Sequence, residues 1–366
     1  MTSDGAVPSS PTRGQPGATL AAVAARVGVS RTTVSNAYNR PDQLSTALRS
    51  QILAAAAELG YSGPDPVARS LRTRQADAVG LIFAERLGYA FRDPGAVEFL
   101  HGLGEACTER GRSLLMIPAA PFAGRIDTVL RAAVDGFVVS SVSVADPLLA
   151  AVLSRSQPAV IVDSPRGIAG VDFVGIDDRA GFGLVAEHVF ALGHRSVGVI
   201  AVRRGEDVEA EPSPMPLLER LNLGQSPHPV RQLRLTGLLD QLVAGASVAV
   251  TERTANSRDE GALGAAALLS TCAELTAIMC TSDILALGVL DELAARGIVA
   301  GRDLTVTGFD DVPAAAVAGL TTVHQPLEGK GRSAIESLLD DRPRTTASSV
   351  ILPTSLVVRS SSGLVR

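Results

Sequence analysis

The first residues whose types and spacing could do chemistry form a polar run after a predicted turn: Ser30, Arg31, Thr32, Thr33, Ser35 and Asn36. Guanidinium, hydroxyl and amide groups hydrogen-bond to the edges of base pairs and to phosphates. Serine is a preferred N-cap, so a helix starting after Ser30 would present the side chains that follow it. The run therefore predicts a helix that contacts a nucleic acid.

The spacing of small and apolar residues indicates how such a helix would be held. Ala24, Gly28 and Val34 stand at offsets 0, +4 and +10, and apolar residues recur every three or four positions in Leu20–Val27. Two helices joined by a short turn cross closely only where the facing residue is small, and Gly28 allows a positive φ in the turn. Thr19–Asn39 is therefore predicted to be a helix-turn-helix; an ordinary αα-hairpin is the alternative.

Two further segments follow this pair of helices. A third helix, ALRSQILAAAAEL, is expected to be capped by Ser45 or Thr46 and to end at Gly60. The stretch that follows contains two prolines and then VARSLRTRQ, which carries three arginines. It is too short to hold a helix alone. It is either a hinge that becomes ordered on DNA or a plain basic linker.

Charge is divided unevenly along the 366 residues. Residues 1–75 carry 8 arginines and 4 acids, a net +4, whereas residues 76–366 carry 25 basic and 34 acidic residues, a net −9. A basic head on an acidic body favours a polyanionic partner for the head and a smaller ligand elsewhere. Lysine occurs once, at Lys330, and we attach no functional expectation to it.

From residue 76 the chain alternates short apolar runs, such as AVGLIF and PAVIVD, with Ala- and Leu-rich helical stretches. Unbroken apolar runs between helices predict parallel strands covered on both faces, an α/β doubly wound fold. Ligands of such sheets bind at the carboxyl ends of the strands. The polar residues there are candidates for binding or, alternatively, for capping the following helices: Asp163, Asp177, Ser282, Asp283, Asp310 and Asp311.

Three blocks of sequence resemble the LacI/GalR family of bacterial transcriptional repressors. They are TLAAVAARVGVSRTTVSNAYN; the ELGY and PVARSLRT segments of residues 58–73; and the series VGIDD, ALGHRSVGVIA, CTSDILALGVLDEL and TVTGFDDVPAA. The match covers nearly all of residues 19–359 in family order. The resemblance implies a sequence-specific DNA-binding regulator, controlled by a small molecule.

The resemblance also implies a domain plan. Residues 18–63 would be an all-α DNA-binding headpiece and 64–75 a hinge helix; residues 1–17 are expected to be a disordered tail because they are rich in Ser, Pro and Gly. Residues 76–176 and 326–350 would form the N-terminal core subdomain, and residues 177–325 and 351–366 the C-terminal one. Such a core consists of two doubly wound parallel-sheet subdomains, like periplasmic binding proteins, joined by three crossovers.

For DNA, the resemblance implies that the headpieces of a homodimer read the two halves of a palindromic operator. Arg31, Thr32 and Asn36 would read bases from the major groove. Asn36 stands where the family commonly has arginine, which leaves its preferred base open. Ser30 would begin that helix, and Ala68 and Leu71 would enter the minor groove. The remaining contacts would be to phosphates and the backbone: Thr19, Thr33, Ser35, Asn39 and Tyr61.

For the effector, the resemblance places the following residues in the cleft: Tyr89, Phe91, Asp163, Arg234, Ser282, Asp310 and Gln325. They suit a sugar, a nucleoside or a similar polar metabolite, and Arg234 could grip two oxygens. Residues Glu206–Pro229 are expected to be a variable insertion at the cleft rim.

Other classes of function are disfavoured. A Gly181–Ala186 stretch mimics a dinucleotide fingerprint, but Asp177, Asp178 and Arg179 intervene between its strand and the glycines, and this connection is too long for the tight turn. No nucleophile–base pair, metal-ligand spacing, signal peptide or membrane span is evident. We therefore expect no enzyme, cofactor, metal or membrane contact, and a cytoplasmic, nucleoid-associated bacterial protein. A ligand-binding module without DNA function remains the rival, and the effector could be an inducer or a corepressor.

Overall fold

The computed structural model describes residues 19–64, 75–83, 87–119, 124–202, 214–222, 229–340 and 347–366. The chain divides after Gln75 into two compact units. The predicted tail falls outside the described residues, as do Ala68, Leu71 and nearly all of the predicted hinge. No described helix is both long and apolar enough to cross a bilayer.

The first unit has three helices, and each begins at a side-chain cap. They are α1 (Leu20–Val27), α2 (Arg31–Asn39) and α3 (Thr46–Glu58). Thr19, Ser30 and Ser45 accept hydrogen bonds from the first-turn amides of these helices. Gly28 has φ +76° and ends α1 in the left-handed conformation that the sequence predicted. The core is made of these fully or nearly buried residues: Val23, Ala24, Val34, Ala37, Ile52, Ala55 and Ala56.

Among the described residues, the second unit holds two mainly parallel sheets and a separate two-stranded antiparallel one. Its strands, in chain order, are β1 (Ala78–Phe83), β2 (Ser113–Pro118), β3 (Gly136–Ser140), β4 (Ala159–Val162), β5 (Asp172–Ile176), β6 (Ser196–Val202), β7 (Met215–Pro216), β8 (Ser247–Arg253), β9 (Ala277–Cys280), β10 (Thr305–Thr307), β11 (Thr322–His324), β12 (Ser349–Leu352) and β13 (Ser355–Val357). The first sheet has the order β12-β5-β4-β3-β1-β2, and the second β10-β9-β6-β8-β7.

Helices cover both faces of each sheet. In chain order they are α4 (Leu87–Ala90), α5 (Pro94–Glu109), α6 (Arg125–Arg131), α7 (Pro147–Leu153), α8 (Asp178–Ala191), α9 (Leu217–Asn222), α10 (Pro229–Asp240), α11 (Arg258–Thr271), α12 (Asp283–Ala295), α13 (Pro313–Val317) and α14 (Leu327–Leu338). The first sheet packs against α5 and α14 on one face and against α6 and α7 on the other. The second packs against α8 and α10, and against α11 and α12. The predicted α/β doubly wound core is thus confirmed.

The strand pattern departs from expectation at three places. The strand β8 was not predicted, β7 runs antiparallel to it, and β11 pairs with β13 in a separate antiparallel sheet. The strand β12 lies in the first sheet up to Leu352, so the expected subdomain boundary after residue 350 falls inside it. Part of the predicted insertion is regular structure, since β7 and α9 lie within Glu206–Pro229 and Leu217 is buried.

The chain passes between the two sheets at three points. It crosses after β5, between β11 and α14, and between β12 and β13. We call the part built on the first sheet the first subdomain and the part built on the second sheet the second subdomain.

Glycines allow three pairs of helices to pack backbone to backbone. A Cβ on Gly102 of α5 would lie 2.0 Å from the carbonyl oxygen of Glu328 in α14. A Cβ on Gly237 of α10 would be as close to Arg179 O in α8, and one on Gly288 of α12 would lie 1.9 Å from Arg258 O in α11. These contacts are with backbone, which cannot rotate away. The crossings therefore require glycine.

We expect Gly102→Ala to destabilise the core by about 1–3 kcal/mol or more, because the added methyl must push two helices apart. Gly104 lies two residues further along α5, and a Cβ added there would meet nothing within 4 Å, so Gly104→Ala is the matched control. It should be neutral or stabilising by up to about 1 kcal/mol, since alanine favours helix. Urea unfolding of both variants measures the difference, and equal stabilities would contradict the close crossing.

Candidate functional site

Helix α2 is divided into a buried and an exposed side. Val34 and Ala37 are fully buried in the headpiece core. Arg31 and Thr32 are exposed at the start of the helix, and the Ser30 hydroxyl accepts from Thr33 N at 3.0 Å. Two of the predicted base-reading side chains are therefore accessible.

Other predicted DNA contacts bond to one another. Asn36 Nδ2 donates to Gln43 Oε1 at 3.2 Å, from α2 to the 3₁₀ turn that follows it. Asn39 Nδ2 donates to Ser35 O at 3.0 Å. Gln43 was not predicted, and it orients the amide of a predicted base reader.

Thr19 and Tyr61 also have structural roles. The Thr19 hydroxyl accepts from Ala22 N at 3.2 Å as the cap of α1. The Tyr61 ring meets Tyr38 edge-on, with centroids 6.0 Å apart. Both residues therefore contribute to the structure of the headpiece itself.

In the second unit, the described residues form a cavity of about 170 Å³ between the two subdomains. Six of the seven predicted effector residues line it: Tyr89, Asp163, Arg234, Ser282, Asp310 and Gln325. Phe91 is not among the lining residues and its side chain is 65% exposed. It lies in the turn that precedes α5 and does not reach the cleft.

Three lining residues near strand ends have positive φ angles. Ser141 follows β3 with φ +56°, Asp163 follows β4 with φ +63°, and Asp310 lies beyond β10 with φ +130°. Such conformations cost a non-glycine residue about 1–3 kcal/mol and are found most often at binding sites. Since the strands are parallel, their carboxyl ends bring these residues to one edge of each sheet.

A buried lysine joins the two walls of the cleft. Lys330 of α14 is 2% exposed, and its Nζ donates to Asp163 Oδ1 at 2.7 Å and to Gln325 Oε1 at 2.5 Å. The Gln325 amide in turn donates to the carboxylate of Asp310, which follows the second sheet. These three hydrogen bonds connect the first subdomain, through the crossover that carries Gln325, to the second subdomain.

A second set of hydrogen bonds crosses the cleft directly. Asn256, which follows β8, donates from Nδ2 to Tyr89 Oη at 3.0 Å and to Asp93 Oδ2 at 2.8 Å. Its Oδ1 accepts from the Ser282 hydroxyl. Asp93 also caps α5, because its Oδ1 accepts from Gly95 N at 2.8 Å. Asn256 therefore links both subdomains through one amide.

Arg234 is more constrained than the sequence suggested. Its Nε lies 2.9 Å from Asp178 Oδ1, its Nη1 donates to Thr281 O, and its guanidinium carbon stands 3.8 Å above the Phe309 ring centroid. The guanidinium thus already holds a buried carboxylate.

Three aspartates in or next to the cleft have raised pKa values. Burial, followed by the charges of Asp283 and Asp93, raises the pKa of Asp310 to about 8, although Arg234 and the Gln325 amide oppose this. Burial likewise raises the pKa of Asp283 to about 6 and also raises that of Asp178. Near neutral pH, Asp310 is therefore mainly an uncharged carboxylic acid.

The sequence reasoning missed several lining residues: Asp93, Ser140, Ser141, Arg231, Asn256 and Lys330. Asp93 had a local signal, since Asp followed by Pro94 is typical of a helix start. Lys330 had one too, as the chain's single lysine in an α/β core. Asn256 follows β8, the strand that was not predicted, and so could not be placed.

Each of the two units matches a known protein family. Residues 19–63 match the family model "Bacterial regulatory proteins, lacI family", and residues 186–362 match "Periplasmic binding protein-like domain". An HTH-type transcriptional regulator of Mycolicibacterium smegmatis is 47% identical over 325 residues, 87% of this chain and 88% of that protein. The chain belongs to the LacI family of transcriptional regulators. Its relatives are regulators and not enzymes, as the sequence predicted.

Solved LacI-family structures have the same fold. A crystal structure of a LacI-family regulator from Corynebacterium glutamicum is 35% identical with a TM-score of 0.69, covering 93% of this chain and 98% of that one. The complex of the regulator CelR with cellobiose is 26% identical with a TM-score of 0.65, covering 94% and 99%. This LacI-family chain therefore pairs a DNA-binding headpiece with an effector-binding type of core.

The raised pKa of Asp310 predicts a pH-dependent stability. The folded state binds a proton that the unfolded chain has lost above pH 4, so the free energy of unfolding should fall as pH rises towards 8, by up to about 1.4 kcal/mol per unit. Between about pH 7.3 and 8 the buried histidines His188 and His194, whose pKa values are lowered by burial, are neutral in the folded chain and nearly neutral in the unfolded one, so they add little to this slope. Asp283 has largely ionised below this window.

Urea unfolding across this window measures the slope. Asp310→Asn should flatten it, whereas Asp303→Asn should not. The Asp303 side chain bonds to Arg302 at the surface, which lowers its pKa to about 2, so it stays ionised throughout. If the wild-type slope survives in Asp310→Asn, Asp310 does not retain its proton.

Proposed function

We propose that the protein is a repressor that binds a palindromic operator as a homodimer and is controlled by a small polar effector in the cleft. The observation that carries this proposal is that one chain combines an exposed, capped recognition helix with a cavity walled by both subdomains. A ligand that bonds to both walls changes the balance between their open and closed arrangements.

Arg31 and Thr32 suit the role of principal base readers. An exposed arginine at the start of a helix in the major groove can hydrogen-bond two acceptors of guanine. Asn36, oriented by Gln43, lies one turn further along α2 and would read a base there. Its amide suits adenine. Ser30, Thr33, Ser35 and Asn39 would approach phosphates at the edges of this surface.

The segment between headpiece and core would connect DNA to the cleft. On the proposed plan, residues 64–75 form a helix on the operator, and Leu71 with Ala68 enters the minor groove at a central base step. An apolar wedge costs a few kcal/mol of unstacking, which the added contact area offsets. Two such hinges, one from each protomer, would meet at the centre of the palindrome.

The effector would act through the angle between subdomains. We assign residues 76–176 and 326–352, which include all of β12, to the N-terminal subdomain and the remainder of the core to the C-terminal one. Coupling between effector and operator is typically about 1–3 kcal/mol, or 5–150-fold in affinity. A sugar, nucleoside or similar polar metabolite suits the hydroxyl, amide and carboxyl groups of the lining. Such a regulator would act in the cytoplasm, on the nucleoid.

A ligand-binding module without DNA function is less well supported. That alternative requires a degenerate headpiece, in which caps or core are lost. Here all three helices are capped by Thr or Ser, and Val23, Val34 and Ile52 are fully buried.

The test is selection of random duplex DNA by the full-length protein at two salt concentrations, together with sedimentation of the complex. The proposal predicts that a dimer binds a selected palindrome, and that it binds unrelated DNA with lower affinity. Sequence-blind, strongly salt-sensitive binding both without and with a ligand that stabilises the core, or a stable monomer on the selected site, would contradict it.

Substitution of Arg31 should separate base reading from general charge. Arg31→Ala is expected to weaken the selected operator by about 10–100-fold and to relax preference at one position of each half-site. Arg26→Ala removes the same charge from α1, where Arg26 pairs with Glu58 at 3.2 Å, and should cost much less. Gel shifts with both variants on operator and scrambled DNA provide the measurement. Equal losses on both DNAs would mean that Arg31 contacts only phosphates.

A further inference from the structure

Three charged side chains hold the first residues of the second unit. Ala76 N donates to Asp135 Oδ1 at 2.6 Å, and Arg112 Nη1 donates to Asp77 Oδ1 and to Asp135 Oδ2, both at 2.7 Å. The side chains of Arg112 and Asp135 are 19% and 15% exposed, so this ion pair is largely shielded from solvent. We call Asp77, Arg112 and Asp135 the junction triad, because residue 76 is the first of the second unit.

The junction triad lies at the edge of the first sheet that is opposite the cleft. Asp77 precedes β1, Arg112 precedes β2 and Asp135 precedes β3, and β1 pairs in parallel with both other strands. The amino-terminal ends of the three strands therefore meet at one edge, whereas ligands of such sheets bind at the other. The triad is not among the described residues that line the cavity, so it is separate from the candidate effector site.

The backbone of Asp77 has an unusual conformation, with φ +53°. Among the described non-glycine residues, the others with positive φ lie in or next to the cleft: Ser141, Asp163, Asp310 and Asp311. Such conformations persist where the surroundings fix them, and they occur most often at functional sites. At Asp77 the fixing contacts come from the triad, at the point where the chain enters β1.

Stability alone does not account for the side chains of the triad. The strand ends are already joined through the backbone, since Ser113 N donates to Asp77 O at 2.8 Å and Asp135 N donates to Ala78 O at 2.7 Å. The Asp135 carboxylate adds a hold on Ala76 N, which precedes these bonds in the chain. Ion pairs shielded from water add little net stability but specify one arrangement of their partners. The triad therefore fixes the direction in which the chain enters the core.

We propose that Arg112 is a positioning residue for operator binding, which acts through residues 76 and 77 and not by contact with DNA. By fixing the end of the linker, the junction triad sets the separation of half-sites that the two headpieces of a dimer bind together. The second of two tethered binding events depends on whether the tether suits the distance between the sites. This inference rests on the proposed homodimer and palindromic operator.

The test measures operator affinity as a function of half-site separation. Full-length protein is titrated with the selected palindrome and with versions whose centre is shortened or lengthened by one or two base pairs, using fluorescence anisotropy. The wild type should prefer one separation. Arg112→Met keeps a side chain of similar length but leaves Asp77 and Asp135 facing each other without a cation.

Arg112→Met should weaken binding at the preferred separation by about 10-fold and change binding at the other separations by less than about 3-fold, because only the match between tether and sites is lost. A uniform loss at all separations, or an unchanged profile, would overturn the inference.

A single half-site distinguishes positioning from damage to the headpiece. Arg112→Met should bind this DNA as tightly as the wild type does, because the contact needs one headpiece and no tether. Weaker binding to the half-site would mean that Arg112 supports base or phosphate contacts instead, which would overturn its positioning role.

Arg332→Met is the matched control. Arg332 pairs with Glu109 at 2.6 Å in the same subdomain, so this substitution removes an equal charge and an ion pair outside the triad. It should leave the separation profile unchanged. If it flattens the profile as Arg112→Met does, the effect is one of general charge and the inference is wrong.

Three graded variants keep the test decisive where Arg112→Met fails to fold. Arg112→Lys retains a cation for the two carboxylates and should retain the preferred separation. Asp135→Asn loses the ion pair but keeps an acceptor for Ala76 N, whereas Asp135→Ala loses both. The preference should therefore decrease from wild type to Asp135→Asn to Asp135→Ala, and equal preferences in all three proteins would contradict the inference.

The proposed function and this inference fail in different ways. A wild-type protein that binds the operator as a monomer, or that has no preferred separation, contradicts the proposed function and the inference with it. A preference that is present in the wild type and retained in Arg112→Met and Asp135→Ala contradicts the inference alone.

Discussion

The ammonium group of Lys330 is almost completely buried, and the geometry of the cleft depends on keeping that charge compensated. Its partners come from the end of β4 and from the crossover before α14, so one ion pair fixes parts of the chain that are far apart in sequence. The same requirement recurs at Arg234 and Arg231, which are bound by Asp178 and Glu252. Buried ion pairs of this kind contribute little net stability but specify one arrangement of their partners.

This arrangement relies on rigid surroundings. The helix pairs α5–α14, α8–α10 and α11–α12 meet at glycines with backbone against backbone, which leaves little freedom for sliding. Lys330 lies on α14 and Arg234 on α10, so two of these close crossings each fix a cleft residue. Motion is therefore expected between the subdomains, at the crossovers, more than within them.

Local patterns in the sequence predicted much of this. The spacing of Ala24, Gly28 and Val34 predicted the crossing of α1 and α2, and unbroken apolar runs predicted most strands. The features that the sequence did not predict depend on contacts between residues that are far apart in the chain. The strand β8 ends in charged residues, and Glu252 is buried only because two arginines from α9 and α10 neutralise it. Asn256 lies just after β8, so its position depends on that strand. The segment that carries Arg220 looked like an insertion for the same reason, since nothing nearby in sequence reveals its partner.

Lysine is usually the most accessible nucleophile on a protein surface, and here the one lysine side chain is 2% exposed. Apart from the amino terminus, amine-directed reagents and acetylating enzymes therefore have no readily accessible target while the cleft is closed. Modification of Lys330 requires that the two walls separate, and it removes the charge that holds Asp163. The rate of amine labelling thus reports how often the subdomains open, without any added fluorophore or engineered cysteine.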